Sequence, residues 1–536
     1  MQQLSATDAS FVYMETPNTP MHIGSIAIYD PSTAPNGLVR YKDILAHIEA
    51  RLHTARSFRQ RLVQVPGNLD HPYWIEDPDF DLEFHVRHIA LPAPGDWRQL
   101  CILTARIHAR PLDMSKPLWE FTIIEGLDNI PGLPKGSFAL LSKVHHAAID
   151  GMSGVDMTSG IHSLEPGAAP PKEDKPWKAD ARPGVGELLF RSYINSIGQP
   201  MRLAQVVAQS VPGLAKLGAS VTKGEISLSG MKPAPRTRIS GKVGAHRVFE
   251  GRAFSLRDVK IMRTLLDGAT VNDVMLTVVG GGFRKYLESK HELPADPMQA
   301  MAPISVRAEG EKGAMGNLVS AMIVSLATDV ADPVERLAAV HASAKNSKAM
   351  TNAVGAKTLS EYSKFMPSAL AGLGARLYTR LGLASQVDQP FNCVVTNVPG
   401  PRVPLYMADA RLVVQMGLGP IFDGMGMILP VYSYGDTIAI SFTSDRDMIP
   451  DPQFFAECLQ ASFDELLEAA KNPDAPRTVA KPPAKATAAK KPAAKKPAAR
   501  KTAAKTATAT APKTAAAKPA TAVRRLPTFR PGKDSN

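Results

Sequence analysis

Val144-His145-His146-Ala147-Ala148-Ile149-Asp150-Gly151 is the stretch around which the chain is organised. It ends a short apolar run, Phe138 to Val144, entered through Pro134 and Gly136. Such a run, bounded by turn residues, predicts a buried strand. Met152 to His162 is spaced like a helix and is closed by Pro166 and Gly167. The two histidines therefore stand where a strand leaves the core, a position that aims a side chain into a cleft. Successive strand side chains point to opposite faces. His145 and His146 are thus poorly placed to share a metal ion, and no third ligand stands at a zinc spacing. One ring faces the site and the other the scaffold. An imidazole that titrates near neutrality suits a general base. The competing reading is two structural histidines at a strand end. Asp150 can hold the turn, and Gly151 permits a backbone conformation that other residues resist.

The 536 residues allow two to four domains and an ample core. Cys101, Cys393 and Cys458 are far apart, so neither a disulfide framework nor a zinc site is expected. Met1 to Ser10 shows no basic segment followed by an apolar core. No apolar stretch reaches the ~18 residues of a spanning helix. A cytoplasmic protein, soluble or at a membrane surface, is the expectation. The net charge of +12 is unevenly spread. Residues 475–536 hold sixteen Lys/Arg and one acidic residue, a net of +15, which leaves −3 for residues 1–474. That Lys-, Ala-, Pro- and Thr-rich tail lacks the large apolar residues that drive folding. It reads as a solubilising tail or as a binder of anionic lipid or nucleic acid.

Residues 1–165 read as one α/β lobe. Strands are expected at Ile23 to Tyr29, near Phe58 to Val63 and at Trp119 to Glu125. Helices are expected at Tyr41 to Ala55 and Trp97 to Ala109, with Trp74 and Glu76 to Asp81 in a loop. Residues 166–240 read as linker and connector. A proline-rich solvated stretch precedes apolar helices over 185–222, either an interlobe connector or a lipid-facing helix. Residues 241–474 read as a second lobe. Strands are expected at Val248 to Leu256, Met298 to Val306, Met322 to Leu326, Cys393 to Thr396 and Thr437 to Thr443. Helices are expected from Asn272-Asp273 to Glu288, over Pro333 to Asn346 and over Pro452 to Ala470. Gly280-Gly281-Gly282 reads as close helix packing. Residues 354–386 and 413–431 offer small and flexible apolar side chains that suit either a channel wall or a core. There is no GxxxxGK[ST], no strand-helix GxGxxG and no GxSxG elbow, so phosphate-loop nucleotide binding and a serine nucleophile are not indicated.

His145-His146-x-x-x-Asp150-Gly151 resembles the signature of the acyl-CoA-dependent acyltransferase superfamily, which includes peptide-synthetase condensation domains. The rest is similar to one branch, the bacterial wax ester synthase/diacylglycerol acyltransferase family. The matching stretches are Leu4-Ser5-x-x-Asp8-x-x-Phe11, Pro20-Met21-His22-x-Gly24, Pro117-Leu118-Trp119, Asn272-Asp273-Val274, Pro303-Ile304-Ser305-Val306-Arg307, Gly316-Asn317 and Asn397-Val398-Pro399-Gly400-Pro401. They run in order from about Leu4 to about Ala470. The resemblance implies an α/β fold, a chloramphenicol acetyltransferase-like pseudo-dimer of two lobes with a mixed sheet in each, around a central channel.

It also implies roles. His146 is the general base and His145 supports it. Asp150 either pairs with Arg307 to fix the loop or orients the imidazole. Gly151 meets a backbone requirement. Asn272 either contacts substrate near the histidine or caps a helix, and Asn397 opens a turn lining the channel. Pro117 and Trp119 are packing. The implied reaction moves a long-chain acyl group from acyl-CoA, a co-substrate, to diacylglycerol or a fatty alcohol. It needs no metal, no cofactor and no acyl-enzyme, and it takes place at a membrane or lipid-inclusion surface. Nucleic acid enters only through the tail. The rivals are a condensation-like enzyme using carrier-bound acyl groups and a non-catalytic, basic-tailed lipid-droplet or nucleoid protein.

Overall fold

In the computed structural model, residues 1–149, 153–173, 177–195, 233–305, 319–354 and 389–472 are described. Asp150, Gly151, Arg307, residues 355–388 and the tail 475–536 lie outside them. In the first half the strands are β1 (Gln2–Gln3), β2 (His22–Asp30), β3 (Gln60–Val63), β4 (Tyr73–Glu76), β5 (Val86–Ala90), β6 (Trp119–Glu125) and β7 (Phe138–His145). In the second half they are β8 (Arg247–Ser255), β9 (Gln299–Ser305), β10 (Val319–Ser325), β11 (Cys393–Pro399), β12 (Tyr406–Met407), β13 (Ala410–Leu418), β14 (Met427–Tyr434) and β15 (Thr437–Asp445). Two six-stranded mixed sheets result, ordered β12-β13-β2-β7-β6-β5 and β10-β9-β11-β14-β15-β8. β5 pairs parallel with β6, and β11 pairs parallel with β9 and β14.

The first sheet buries both faces. Ala27, Tyr29, Phe121, Phe138 and Leu140 form one core. Ile26, Ile28, Ala139 and Leu141 face the helix Trp97–His108 through Trp97, Leu100 and Ile107. This double burial explains why β7 reads as a continuous apolar run rather than an alternating one.

The two halves exchange chain. β13 pairs antiparallel with β2, from Arg411↔Asp30 to Leu418↔Gly24, and so completes the first sheet with residues from the second half. Division by sequence at 165 and 241 leaves that sheet without two of its strands. Residues 413–431, which suit a channel wall or a core, contribute to the cores. They form most of β13 and the start of β14, and Val414, Met416, Leu418, Met427 and Leu429 are buried in the cores. Trp74 also differs from expectation: it lies in β4, between β1 and β3 in a small third sheet, not in a loop. The helix begun at Tyr41 ends at Glu49, before a 3-10 turn at Leu52–Thr54.

A buried polar cluster crosses the seam between the halves. Trp97 Nε1 donates to Glu250 Oε1 of β8, and Arg252 Nη1 donates to the same oxygen at 2.9 Å. Arg247, also on β8, donates to the Asn18 carbonyl in the N-terminal segment. In the second half, the helix Val271–Ser289 packs against Pro452–Lys471 through its glycines. A Cβ on Gly281 would stand 2.1 Å from Ser462 Oγ, and one on Gly282 2.6 Å from Leu459 Cδ2. The three glycines therefore serve close approach, as their helical position suggests.

Candidate active site

The N-terminal helix Ala6–Met14 holds both histidines. Ser5 caps it: its Oγ accepts the Asp8 N–H at 3.1 Å and donates to Asp8 Oδ2 at 2.5 Å. Phe11 and Glu15 stand four residues apart, hence on one side of the helix and its C-cap. The Phe11 ring stacks on His146 at 3.8 Å between centroids and 13° between planes. His145 Nε2 donates to Glu15 Oε2 at 2.8 Å.

The two rings differ in how their nitrogens are partnered. His145 is 0% exposed, and its Nδ1 accepts the Ala147 N–H at 3.1 Å. With Nε2 donating and Nδ1 accepting, both nitrogens are committed. His146 is half-buried, and its Nδ1 is enclosed without a partner among the described residues. Burial, aided by the neighbouring His145, pushes its pKa down to about 4. At neutral pH the ring is uncharged and able to accept a proton.

The backbone clamps the pair from both sides. The His145 N–H donates to the Leu118 carbonyl at 2.9 Å, and the His146 N–H donates to the Met21 carbonyl at 2.8 Å. Next to Met21, His22 pairs across the sheet with His145. Gly24 passes so close to β7 that a Cβ there would lie 2.4 Å from the Ser142 carbonyl oxygen. Trp119 is buried, donates through Nε1 to the Phe58 carbonyl at 2.9 Å, and stacks on His85. Pro117 and Trp119 also border a cleft with Arg87, Arg110, Asp113 and Glu120.

Asn272 and Asn397 meet. Asn397 Nδ2 donates to Asn272 Oδ1 at 3.2 Å. Asn272 does not cap its helix, contrary to one expectation. Thr270 does, with its Oγ1 accepting the Asp273 N–H at 3.2 Å. Asp273 Oδ2 in turn accepts the Thr270 N–H at 2.8 Å and a second bond, at 2.9 Å, from His341 Nδ1. Threonine is by type a somewhat weaker cap than asparagine, but here its capping box with Asp273 places the start two residues earlier and frees the Asn272 amide for Asn397. The Asp150–Arg307 pairing and the backbone role of Gly151 fall outside the described residues.

The sequence profile described as the wax ester synthase/diacylglycerol acyltransferase catalytic domain matches residues 4–275, and that of the family's C-terminal domain matches residues 315–467. The chain belongs to this family. A Mycobacterium tuberculosis protein assigned by name to diacylglycerol O-acyltransferase is 30% identical over 468 residues, 87% of this chain and 90% of the relative. Another from that organism is 31% identical over 484 residues, 90% of this chain and 100% of the relative. Among solved structures, the wax ester synthase/diacylglycerol acyltransferase from Marinobacter aquaeolei VT8 superposes with a TM-score of 0.62 and 26% identity, covering 88% of this chain and 100% of that one. A condensation domain of the calcium-dependent antibiotic synthetase shares the fold, at a TM-score of 0.51 and 13% identity. The protein is therefore an acyltransferase of the two-lobed α/β class.

Several family motifs now have a physical reading. Leu4 to Phe11 is a capped helix whose aromatic ring stacks on His146. Pro20 to Gly24 and Pro117 to Trp119 supply the carbonyls that hold the histidine backbone. Glu15 was not foreseen. It lies just past the first motif, and no spacing rule links it to a histidine 130 residues later. Glu15→Ala leaves a buried imidazole N–H unpaired and is expected to cost about 1.5–3 kcal/mol in urea unfolding. Glu15→Gln, which keeps an acceptor, is expected to recover most of it. Equal stability of the alanine variant and the parent would contradict this arrangement. The low His146 pKa also has a kinetic signature. kcat/KM is expected to stay level as pH falls through the ordinary histidine value of ~6.5 and to decline only towards about 4, where His146 becomes protonated. A half-maximal point at 6.5 would contradict it.

Proposed function

We propose that the protein transfers a long-chain acyl group from acyl-CoA to the hydroxyl of diacylglycerol, of a long-chain fatty alcohol, or of both, with His146 as general base. The supporting observation is the contrast between the rings: His145 has both nitrogens committed, whereas His146 has Nδ1 unpaired and is uncharged at neutral pH. The acceptor O–H gives its proton to His146 as its oxygen attacks the thioester carbonyl. The tetrahedral intermediate then expels coenzyme A thiolate, which takes the proton back. No covalent acyl-enzyme forms, and acyl-CoA is a co-substrate rather than a resident cofactor. His145 is a positioning residue, anchored by Glu15, and the Phe11 stack sets the plane of the His146 ring. Asp150 pairs with Arg307 to fix the loop, and Gly151 supplies its backbone freedom. The amide pair of Asn272 and Asn397 is a polar contact for the acyl or acceptor chain. The products are triacylglycerol and wax ester, made by a peripheral protein at a membrane or lipid-inclusion surface in the cytoplasm.

The test is purified protein with labelled palmitoyl-CoA and either hexadecanol or dioleoylglycerol. Labelled ester with release of free coenzyme A is expected from at least one acceptor. Turnover of neither, with acyl groups accepted only from a carrier protein, would overturn the proposal.

A further inference from the structure

Among the described residues, the helix at 185–195 is docked along one stripe. Leu188 packs on Val65 and Tyr73, Ser192 is buried, and Asn195 Nδ2 donates to Asp70 Oδ2 at 2.8 Å and to the Tyr73 hydroxyl at 3.0 Å. Positions 188, 192 and 195 share one helical face. The opposite side carries Val185, Leu189, Phe190, Tyr193 and Ile194, with exposures of 62%, 39%, 66%, 66% and 51%. At about 100° per residue these five sweep roughly half the circumference. Single exposed apolar residues are ordinary on a protein surface, but a contiguous helical face of them marks a contact. Its flank is polar, where Arg191 pairs with Glu187 at 2.9 Å.

We propose that this outer face is where the protein docks on a phospholipid-covered surface, with the helix lying in the interface plane. The inference rests on the acceptor class proposed above, since diacylglycerols and fatty alcohols reside in lipid. Two further observations favour lipid over protein. Phe190 and Tyr193 are the residue types that settle at a membrane–water interface. Residues 475–536 carry a net charge of +15 against −3 for the rest of the chain. That charge complements anionic headgroups, and stable anchoring takes two signals, here an inserted apolar face and a basic segment. Among the described residues no helix is long and apolar enough to cross a membrane.

The experiment is vesicle flotation of the full chain, with and without Phe190→Ser/Ile194→Ser. It uses vesicles of phosphatidylcholine alone and of phosphatidylcholine with phosphatidylglycerol. Attraction between the tail and anionic lipid is suppressed at about 1 M salt, where the Debye length is about 3 Å. Under that condition the parent is expected to float with either vesicle, and the double variant to bind at least about tenfold more weakly. At low salt both are expected to gain on the anionic vesicle. A variant that binds as well as the parent would overturn the proposal. So would a parent that never binds neutral vesicles, or a variant whose only change is from dimer to monomer in sedimentation, which would assign the face to a second copy. Thermal unfolding of the variant confirms that it is folded, and Tyr193→Ser replaces it if it is not. Flotation involves no turnover, so its failure is distinct from failure of the acyl-transfer reading, which the parent's esterification assay reports separately.

Discussion

His146→Ala is expected to lower kcat for ester formation by ~10²–10⁴, which is ~3–5 kcal/mol of barrier. The loss should appear in kcat and kcat/KM alike, because the ring acts on a proton in flight rather than on bound acyl-CoA. Unfolding should change far less. The ring is half-buried, its Nδ1 has no partner among the described residues, and the stack on Phe11 is the main contact given up. His145→Ala should behave in the opposite order. That ring is fully enclosed and bonded at both nitrogens, so its removal strands Glu15 and the Ala147 N–H. Folded yield and unfolding free energy should fall first, with the rate following. Transfer at the parental rate by His146→Ala would remove His146 from the chemistry, whatever the fold.

Glu250→Ala is expected to destabilise the protein by about 3–5 kcal/mol, read from the urea unfolding midpoint at constant slope. Glu250 is 4% exposed, and it receives the Trp97 indole N–H from the first half and the Arg252 guanidinium from its own strand. Alanine leaves a guanidinium only 8% exposed without its counter-charge, and that uncompensated charge, rather than the lost attraction, dominates the cost. Glu250→Gln keeps an acceptor for Trp97 and should lose less. Since Trp97 sits on the helix packed between the sheets, loosening this cluster should also lower the rate by shifting one half against the other. A change below about 1 kcal/mol would mean that water already reaches the seam.

The order of elements and the location of the histidines were legible because both rest on local rules. A buried run entered through Pro134 and Gly136 makes a strand, as it does here, but the alternation expected to separate the histidines does not reach them, because β7 ends at His145 and His146 opens a 3-10 turn, His146–Ala148. The Gly280-Gly281-Gly282 packing was legible for the same reason, since three adjacent glycines in an apolar helix leave little else for them to do. Sequence alone decided less where local chemistry offers more than one choice. Asn272 is by residue type the stronger cap, yet the box between Thr270 and Asp273 sets the start, and the bond from Asn397 shows that Asn272 is used elsewhere. Residues 413–431 are rich in Gly, Met and Leu, which suit a wall or a core equally; that choice stayed open in the sequence, and Val414, Met416, Leu418, Met427 and Leu429 are buried in the cores of two different sheets.

By itself the sequence determined the α/β composition, the family, the strand that presents His146 and the separation of a basic tail from a nearly neutral folded part. Tertiary structure alone decided that β13 crosses to complete the first sheet, that Glu15 and Phe11 divide the two histidines between them, and that Glu250 joins the halves. Each of these is a contact between residues more than a hundred positions apart. Periodicity and propensity act over a few turns of chain, and they carry no record of which distant surface a side chain will meet.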